Sequence, residues 1–317
     1  MSSFTDDDDV ISMTCNTTFD ASIEISKYIV QISYLIPGLV LHLSILRTLL
    51  WKMKIVSTNN SFYVIYTIDS MVSVIILLMD ILFIRLFVFV PPLCPLVSPF
   101  FFSPSILLKI LYVISHNMRA MKPVTQIFMV VNRMSCVLFP FGYTQKWKTC
   151  LPFIIGFILL SPNLVTWNLV ISREYVFSYY GGFTFNYIRK ITWAKLSEFH
   201  LIFLTISMVI TIICTSVTLY NLILLSNRIK TSEKTLCLAT IIISIGFIAL
   251  TITQSSFAFC TTCDFDLILI LQYLVYDFWN IGSPLVLLIT NSELRKNVFN
   301  KKKISSIVVL HANSSFK

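Results

Sequence analysis

The third long apolar segment of this 317-residue chain carries titratable side chains that could bind a polar or acidic ligand. Spacing of three or four residues puts the following residues on one helical face: Lys109, Tyr112, His116, Arg119, Pro123 and Gln126. A cation at the centre of a bilayer costs about 2.5–3.5 kcal/mol on insertion scales, so this face should turn toward protein or water. The alternative is a poorly inserting segment whose basic groups reach the headgroups, as we expect for Lys109 but not for the deeper Arg119.

Three carboxylates in other apolar segments could neutralise these cations, namely Asp69, Asp80 and Asp277. Depth along each helix, at about 1.5 Å per residue, places Asp277 level with Arg119 and predicts that they pair. The same measure makes Asp69, Asp80 and Lys122 members of further intramembrane ion pairs. Such pairs could be purely structural, or one member could face a ligand.

The predicted pair of Arg119 and Asp277 suggests how a ligand could act. A small amphiphile with a carboxylate could displace Asp277 from Arg119, while its apolar body rests on outer segments rich in Phe and Tyr. Tyr112 and His116 would line the same pocket. The exchange would free the seventh segment from the third and so act as a trigger.

The surrounding sequence is that of a membrane protein. Hydrophobic residues make up 56% of the chain and charged residues 12%, with mean hydropathy +0.82, whereas soluble domains are about 25% charged. Apolar blocks long enough to cross about 30 Å of hydrocarbon are Tyr28–Leu50, Phe62–Val88, Ser105–Val137, Leu151–Ile171, Ser197–Leu225, Leu236–Phe259 and Leu267–Thr290. The predicted fold class is all-α, a polytopic membrane protein with a bundle of seven transmembrane helices.

Other functional classes lack sequence support. The net charge of +9 comes from basic residues between the blocks rather than on one face, so nucleic-acid binding is not indicated. The HExxH, GxSxG, P-loop and GxGxxG motifs are absent. We therefore predict no enzyme, no cofactor and no metal site.

The distribution of basic residues predicts orientation in the membrane. With the amino terminus outside, 15 Lys and Arg residues fall on the cytoplasmic side and 7 on the outer side, a group that includes Arg85 and Lys109. Asn16 begins a glycosylation sequon on the outer side. The chain then divides into an extracellular tail at 1–27, the bundle at 28–290 and a cytoplasmic tail at 291–317.

The outer segments contain a predicted disulfide and a predicted hairpin. Cys94 is expected to pair with Cys15, Cys260 or Cys263, all on the oxidising side. Aromatic residues flank Gly181-Gly182 within 175–187, which predicts a hairpin with a two-residue turn. The hairpin could be a lid over a pocket or a loop on the headgroups.

The tail after the seventh block is predicted to lie on the membrane as a short amphipathic helix. Leu294, Val298 and Phe299 would form its apolar edge. Lys residues at 301–303 can attract anionic lipid, at about 1 kcal/mol each, so membrane lipid is an expected partner.

The inner end of the third block carries the most specific motif, NRMSCVLFP at 132–140, with Trp147 following. Further matching positions are Phe62-Tyr63, Asp69-Ser70, 91–95, Trp167-Asn168, Glu233, Leu236-Cys237, Ser283-Pro284, Asn291, Leu294 and Arg295. With seven blocks and an outside amino terminus, the sequence resembles the nematode serpentine receptors of class gamma. The resemblance implies G-protein-coupled chemoreceptors that detect small molecules, typically at the plasma membrane of cilia in chemosensory neurons.

The resemblance also implies a cytoplasmic surface that couples to a heterotrimeric G protein. Its expected residues are Asn132, Arg133, Lys146, Trp147, Lys148, Arg228, Lys230 and Lys234. Arg133 would lie at the edge of the hydrocarbon, where it can meet a partner when the bundle opens, and Trp147 would anchor the next loop at the interface. A seven-span ligand-gated cation channel or a transporter subunit is the alternative function.

Three features depart from the rhodopsin-like receptor pattern. Asn132 stands where an acidic residue usually precedes Arg133, and the second outer loop at 172–196 has no cysteine. In the seventh block, Asn280 lies four residues before Pro284 rather than beside it. The activation mechanism is therefore expected to carry over only in outline.

Overall fold

The computed structural model describes residues 10–52, 60–139, 141–224, 231–260 and 265–299. Seven long helices lie within these ranges, followed by a short one. They are α1 (Ala21–Arg47), α2 (Ser61–Met79), α3 (Ile106–Leu138), α4 (Tyr143–Leu160), α5 (Leu196–Leu224), α6 (Thr231–Phe259), α7 (Phe265–Thr290) and α8 (Ser292–Phe299). Each predicted apolar block thus corresponds to one long helix.

Hydropathy identifies fewer spans than the fold contains. Among the described residues, five helical segments are long and apolar enough to cross a membrane, or six when α3 is joined with the bent segment Pro91–Phe101. The helix α3 falls short alone because it carries Lys109, Arg119, Lys122 and Arg133. On α5, Ile202, Ile206 and Ile213 are each more than half exposed, as side chains that face lipid would be.

The helix α2 continues through a π-helical segment, Asp80–Arg85, into a last turn at Leu86–Phe89. The wider i→i+5 turn of a π-helix changes which face of the helix subsequent residues occupy. As a result both Asp80 and Arg85 are buried in the bundle. Arg85, which was counted among the outer basic residues, therefore lies inside the bundle.

The helix α4 begins eight residues before the predicted block, at Tyr143, and a second helical stretch, Asn163–Ile171, follows it. Gly142 precedes α4 in the left-handed conformation, with φ of 77°. Residues 143–150, which lie between the third and fourth predicted blocks, are therefore the start of α4 rather than a loop.

A two-stranded antiparallel hairpin follows α4, formed by β1 (Arg173–Tyr179) and β2 (Gly182–Ile188). Its turn residues are Tyr180 and Gly181, with φ of 54° and 110°. Positive φ at both central positions is the pattern of a type I′ turn. The hairpin is confirmed, but the turn lies one residue before the predicted Gly181-Gly182 because Gly182 pairs with Tyr179 in the ladder.

Gly182 lets the hairpin lie directly on the end of α2. A Cβ atom at this position would be 2.0 Å from the carbonyl oxygen of Phe87. Beside this contact the rings of Phe87 and Phe183 stack with centroids 4.8 Å apart. The position therefore excludes any side chain.

A disulfide joins the amino-terminal segment to the same end of the bundle. Cys15 and Cys94 are bonded, so among the three candidate partners of Cys94 the structure selects Cys15; Cys263 lies outside the described residues. The backbone N–H of Ile11 donates to the carbonyl of Phe102 at 3.0 Å. Together with the hairpin, this segment covers one end of the bundle.

The opposite end is closed by α8. Leu294 is fully buried and Val298 packs on the main core, whereas Phe299 is 67% exposed. The guanidinium of Arg295 donates to the carbonyl of Ile289 at 3.1 Å, near the end of α7. The expected apolar edge is therefore divided, with two members facing the bundle and one facing outward.

Candidate functional site

A cavity of about 460 Å³ lies beneath the hairpin, between α2, α3, α5, α6 and α7. This volume is within the range of small-molecule pockets, about 300–1,000 Å³. Its polar lining includes Asp80, Tyr112, Ser115, His116, Arg119, Asn186, Tyr187, His200, Gln254, Gln272, Tyr273 and Tyr276. The sequence-predicted residues Tyr112, His116 and Arg119 thus meet in one wall, as their helical spacing requires.

The ion pair in this wall joins Arg119 and Asp80. Arg119 Nη2 lies 2.5 Å from Asp80 Oδ1, and the exposed fractions of the two side chains are 16% and 2%. The guanidinium also lies 5.6 Å from the ring centroid of Tyr276. The cavity therefore meets the cation more than the carboxylate.

Two histidines lie beside this pair. The rings of Tyr112 and His116 meet edge to face, with centroids 4.6 Å apart. His200 Nε2 is 3.2 Å from the hydroxyl oxygen of Tyr276, within hydrogen-bonding distance. Each imidazole is thus positioned by an aromatic neighbour.

The α6 and α7 walls contribute an amide pair that sequence reasoning missed. Gln272 Nε2 donates to Gln254 Oε1 at 2.8 Å, and Gln254 Nε2 donates to the carbonyl of Ser197 at 3.4 Å. Phe177, Phe185 and Phe257 supply apolar surface in the same cavity. Two glutamines within apolar blocks were the available sequence signal, since polar groups inside a membrane are costly unless partnered.

The hairpin forms part of the cavity wall, which favours the lid interpretation over a loop on the headgroups. It is also attached to α3, because Lys109 Nζ lies 4.0 Å from Glu174 Oε2. Burial raises the pKa of Glu174, and the charge of Lys109 opposes that effect. Lys109 thus contacts the hairpin rather than only reaching outward to headgroups.

Asp277 does not line this cavity and does not pair with Arg119. Its Oδ1 accepts from Arg85 Nη2 at 2.5 Å, and its Oδ2 accepts from the hydroxyl of Tyr34 at 2.7 Å. Arg85 Nη1 also donates to Gln31 Oε1 at 3.0 Å. The predicted pairing was wrong because depth along a helix does not specify which neighbour the residue faces.

A third ion pair lies deeper, between Lys122 and Asp69 at 2.8 Å. Asp69 Oδ1 also accepts from Thr125 and Gln126, at 2.7 and 3.0 Å. Among the described residues of the bundle, the cations Arg85, Arg119 and Lys122 thus pair with the carboxylates Asp277, Asp80 and Asp69. The charges of these three ion pairs balance. Arg85 is the one of the six residues that the sequence analysis did not place inside the bundle.

At the other end of α3, Asn132 is fully buried. Its Nδ2 donates to Ser61 Oγ at 2.8 Å, and its Oδ1 accepts from the Tyr143 hydroxyl at 2.7 Å. Trp147 is 8% exposed and donates through Nε1 to Ser135 Oγ at 2.7 Å. Both residues hold α2, α3 and α4 together and are buried in this structure, and their predicted part in coupling stays a prediction.

Other members of the predicted coupling surface are accessible. Lys146 and Lys148 are exposed on α4. Arg133 is half-buried, with its guanidinium carbon 3.6 Å from the ring centroid of Phe62. Arg228, Lys230 and the side chain of Lys234 lie outside the described residues.

Comparison with known proteins relates nearly the whole chain to one family of receptors. The model of the Srg family chemoreceptor matches residues 28–298. In Caenorhabditis elegans, serpentine receptor class gamma-16 is 42% identical over 96% of this chain and 98% of its own length. Serpentine receptor class gamma-15 is 44% identical over 92% and 91%, and class gamma-5 is 39% identical over 94% and 93%. The resemblance drawn from the motif at 132–140 is confirmed.

Proposed function

The chain belongs to the Srg family of chemoreceptors, seven-helix membrane proteins, and we propose that it binds a small extracellular molecule in the cavity beneath the hairpin. We further propose that binding is signalled to a heterotrimeric G protein. The receptor would lie in the plasma membrane with its amino terminus outside, in the ciliary membrane of a chemosensory neuron. Asn16 is exposed in the segment that covers the same end of the bundle as the hairpin, and it would then be accessible to glycosylation.

The observation that carries this proposal is the arrangement of Arg119 and Asp80 in the cavity wall. Because the guanidinium is the more exposed partner, an incoming anion meets a cation first. A carboxylate can form a charge-assisted and bidentate contact with Arg119. The ligand class is therefore a small amphiphile with an acidic group, which displaces Asp80 rather than Asp277.

The remaining surface of the cavity suits the apolar body of such a ligand. Phe177, Phe185 and Phe257 offer aromatic faces, while Tyr112 and His116 border the charged wall. The polar groups of the lining would fix the orientation of the ligand and give specificity.

Coupling to a G protein is proposed through Arg133, Lys146 and Lys148, with the basic segment 228–234. Arg133 is held over Phe62 in this structure and lies beside a small cavity of about 30 Å³ lined by Tyr66 and Trp279. An opening of the bundle at this end would let the guanidinium leave the ring and meet a partner.

A screen of small acids and neutral analogues in a heterologous cell, read out by G-protein nucleotide exchange, tests both parts. Arg133→Ala should abolish ligand-driven exchange while surface expression persists. Lys195→Ala, in the exposed pair with Glu198, is the matched control and should respond like wild type. Normal exchange by well-expressed Arg133→Ala would end the coupling proposal, and ligand-gated current without exchange would support a channel instead.

A further inference from the structure

Two of the interior ion pairs lie next to each other and are connected by Tyr273. The guanidinium carbon of Arg85 lies 5.0 Å from the Tyr273 ring centroid, and Tyr273 lines the same cavity as Arg119. Tyr273 belongs to α7. The cavity pair, Arg119 with Asp80, is thus adjacent to the pair that holds α7, Arg85 with Asp277.

The π-helical segment of α2 brings the two pairs within reach of each other. Asp80 is its first residue and Arg85 its last, so the two are five residues apart in a helix whose turns close between such residues. Asp80 therefore has two arginines near it, although its hydrogen bond goes to Arg119.

Arg85 has an unused donor that a second carboxylate could occupy. Its Nη1 and Nη2 atoms bond to Gln31, Tyr34 and Asp277. Its Nε atom is buried and has no acceptor among the atoms of the residues described. A buried donor without an acceptor is costly, which favours any rearrangement that supplies one.

We propose that Asp80 exchanges between Arg119 and Arg85, and that Asp80 and Arg85 are positioning residues that transmit ligand binding to α7. This inference rests on the proposed binding of an anion at Arg119. Once an anion occupies Arg119, the Asp80 carboxylate is buried without its partner, a state that is strongly unfavourable. Arg85 is the adjacent cation, and its Nε–H group is available to donate to Asp80. Shared between two carboxylates, Arg85 holds Asp277 less firmly, and α7 loses part of its attachment to α2.

Removal of the Arg119 side chain should reproduce the exchange without any ligand. In the purified full-length receptor, Arg119→Ala should raise amide hydrogen exchange along α7 severalfold over wild type. Adding Asp80→Asn should return exchange in α7 toward the wild-type rate, because a neutral amide does not compete for Arg85. Asp277→Asn should loosen α7 directly, and Asp80→Asn should not rescue it. Lys195→Ala, which removes an exposed cation outside the cavity, should leave exchange in α7 unchanged.

Several outcomes would overturn the inference. Unchanged α7 exchange in Arg119→Ala would do so, and so would a general loosening of α2 and α3 that Asp80→Asn fails to reverse. If Arg119→Ala does not reach the membrane, Arg119→Met keeps the apolar volume and is measured instead. Basal nucleotide exchange is recorded in parallel: α7 exchange that follows the predicted pattern without nucleotide exchange contradicts G-protein coupling and leaves the ion-pair exchange standing.

Discussion

Lys122 Nζ lies 2.8 Å from Asp69 Oδ2, and the two side chains are 1% and 0% exposed. The same ammonium donates to Ser73 Oγ at 2.5 Å, and Asp69 accepts from two further residues of α3. Because this cluster joins α2 to α3 and does not line the ligand cavity, its expected role is structural, whereas Arg119 and Asp80 both line the cavity.

The two pairs should therefore respond differently to mutation. Lys122→Met leaves Asp69 as an uncompensated buried charge and should cost about 3–5 kcal/mol of stability. The double variant Lys122→Met/Asp69→Leu should recover much of that loss, because both charges are gone. Thermal unfolding of the purified receptor measures this, with Lys195→Met as the exposed control. A wild-type unfolding temperature for Lys122→Met would contradict the structural role.

Gly182→Ala should displace the hairpin from the end of α2. Its Cβ atom would lie 2.0 Å from the Phe87 carbonyl oxygen, which the backbone can relieve only by moving. Gly156→Ala on α4 is the matched control, since a Cβ there meets nothing within 4 Å. We expect lower surface expression and a lower unfolding temperature for Gly182→Ala alone. Equal behaviour of the two variants would show that this contact is unimportant.

Cys15→Ser should destabilise the hairpin end of the receptor. The disulfide to Cys94 closes a loop of 79 residues. Its loss gives the unfolded chain more conformational entropy, which lowers the free energy of unfolding by about 4.5 kcal/mol at most. Cys150→Ser changes an exposed cysteine outside the described disulfide and serves as the control. The unfolding temperature should fall for Cys15→Ser and stay constant for Cys150→Ser. If reductant lowers neither stability nor expression of wild type, the disulfide has no such role.

Glycosylation at Asn16 reports the orientation directly. Asn16 is exposed, and its Oδ1 accepts from the hydroxyl of Thr18 at 2.8 Å within the sequon. Receptor made in eukaryotic cells should lose mass on deglycosylation, and Asn16→Gln should remove that difference. Asn59 and Asn313 also begin sequons, and the proposed orientation places both on the cytoplasmic side. An unmodified Asn16 combined with a glycan at Asn59 or Asn313 would reverse that orientation.

The sequence predicts the helices well because each apolar block has the length that a bilayer requires. The hairpin was also predictable, since aromatic residues and two glycines mark it. Its turn was displaced by one residue because Tyr180 adopts positive φ, leaving Gly182 for the contact with α2. Local patterns thus identify elements, while a contact between elements decides which residue occupies the turn.

The candidate site was predicted only in part. Helical spacing correctly groups Tyr112, His116 and Arg119 on one wall, because periodicity defines a face of α3. It cannot predict the partner of Arg119, since the π-helical segment that turns Asp80 and Arg85 inward has no sequence signal we recognised. The predicted location of Trp147 at the membrane interface differs from the structure for a related reason. A tryptophan near the end of an apolar block is typical of the interface, but here Ser135 provides a buried acceptor for its N–H group.

Binding of an acid and its methyl ester to the purified receptor tests the central claim most directly. Once a screen has supplied an active acid, wild type should bind it about 10-fold or more tightly than the ester, the loss expected for one charged hydrogen bond. In Arg119→Gln this preference should disappear, whereas Lys195→Gln, in an exposed pair outside the cavity, should retain it. Equal affinities of acid and ester for wild type, or a preference that survives in Arg119→Gln, would contradict recognition of an anion by Arg119.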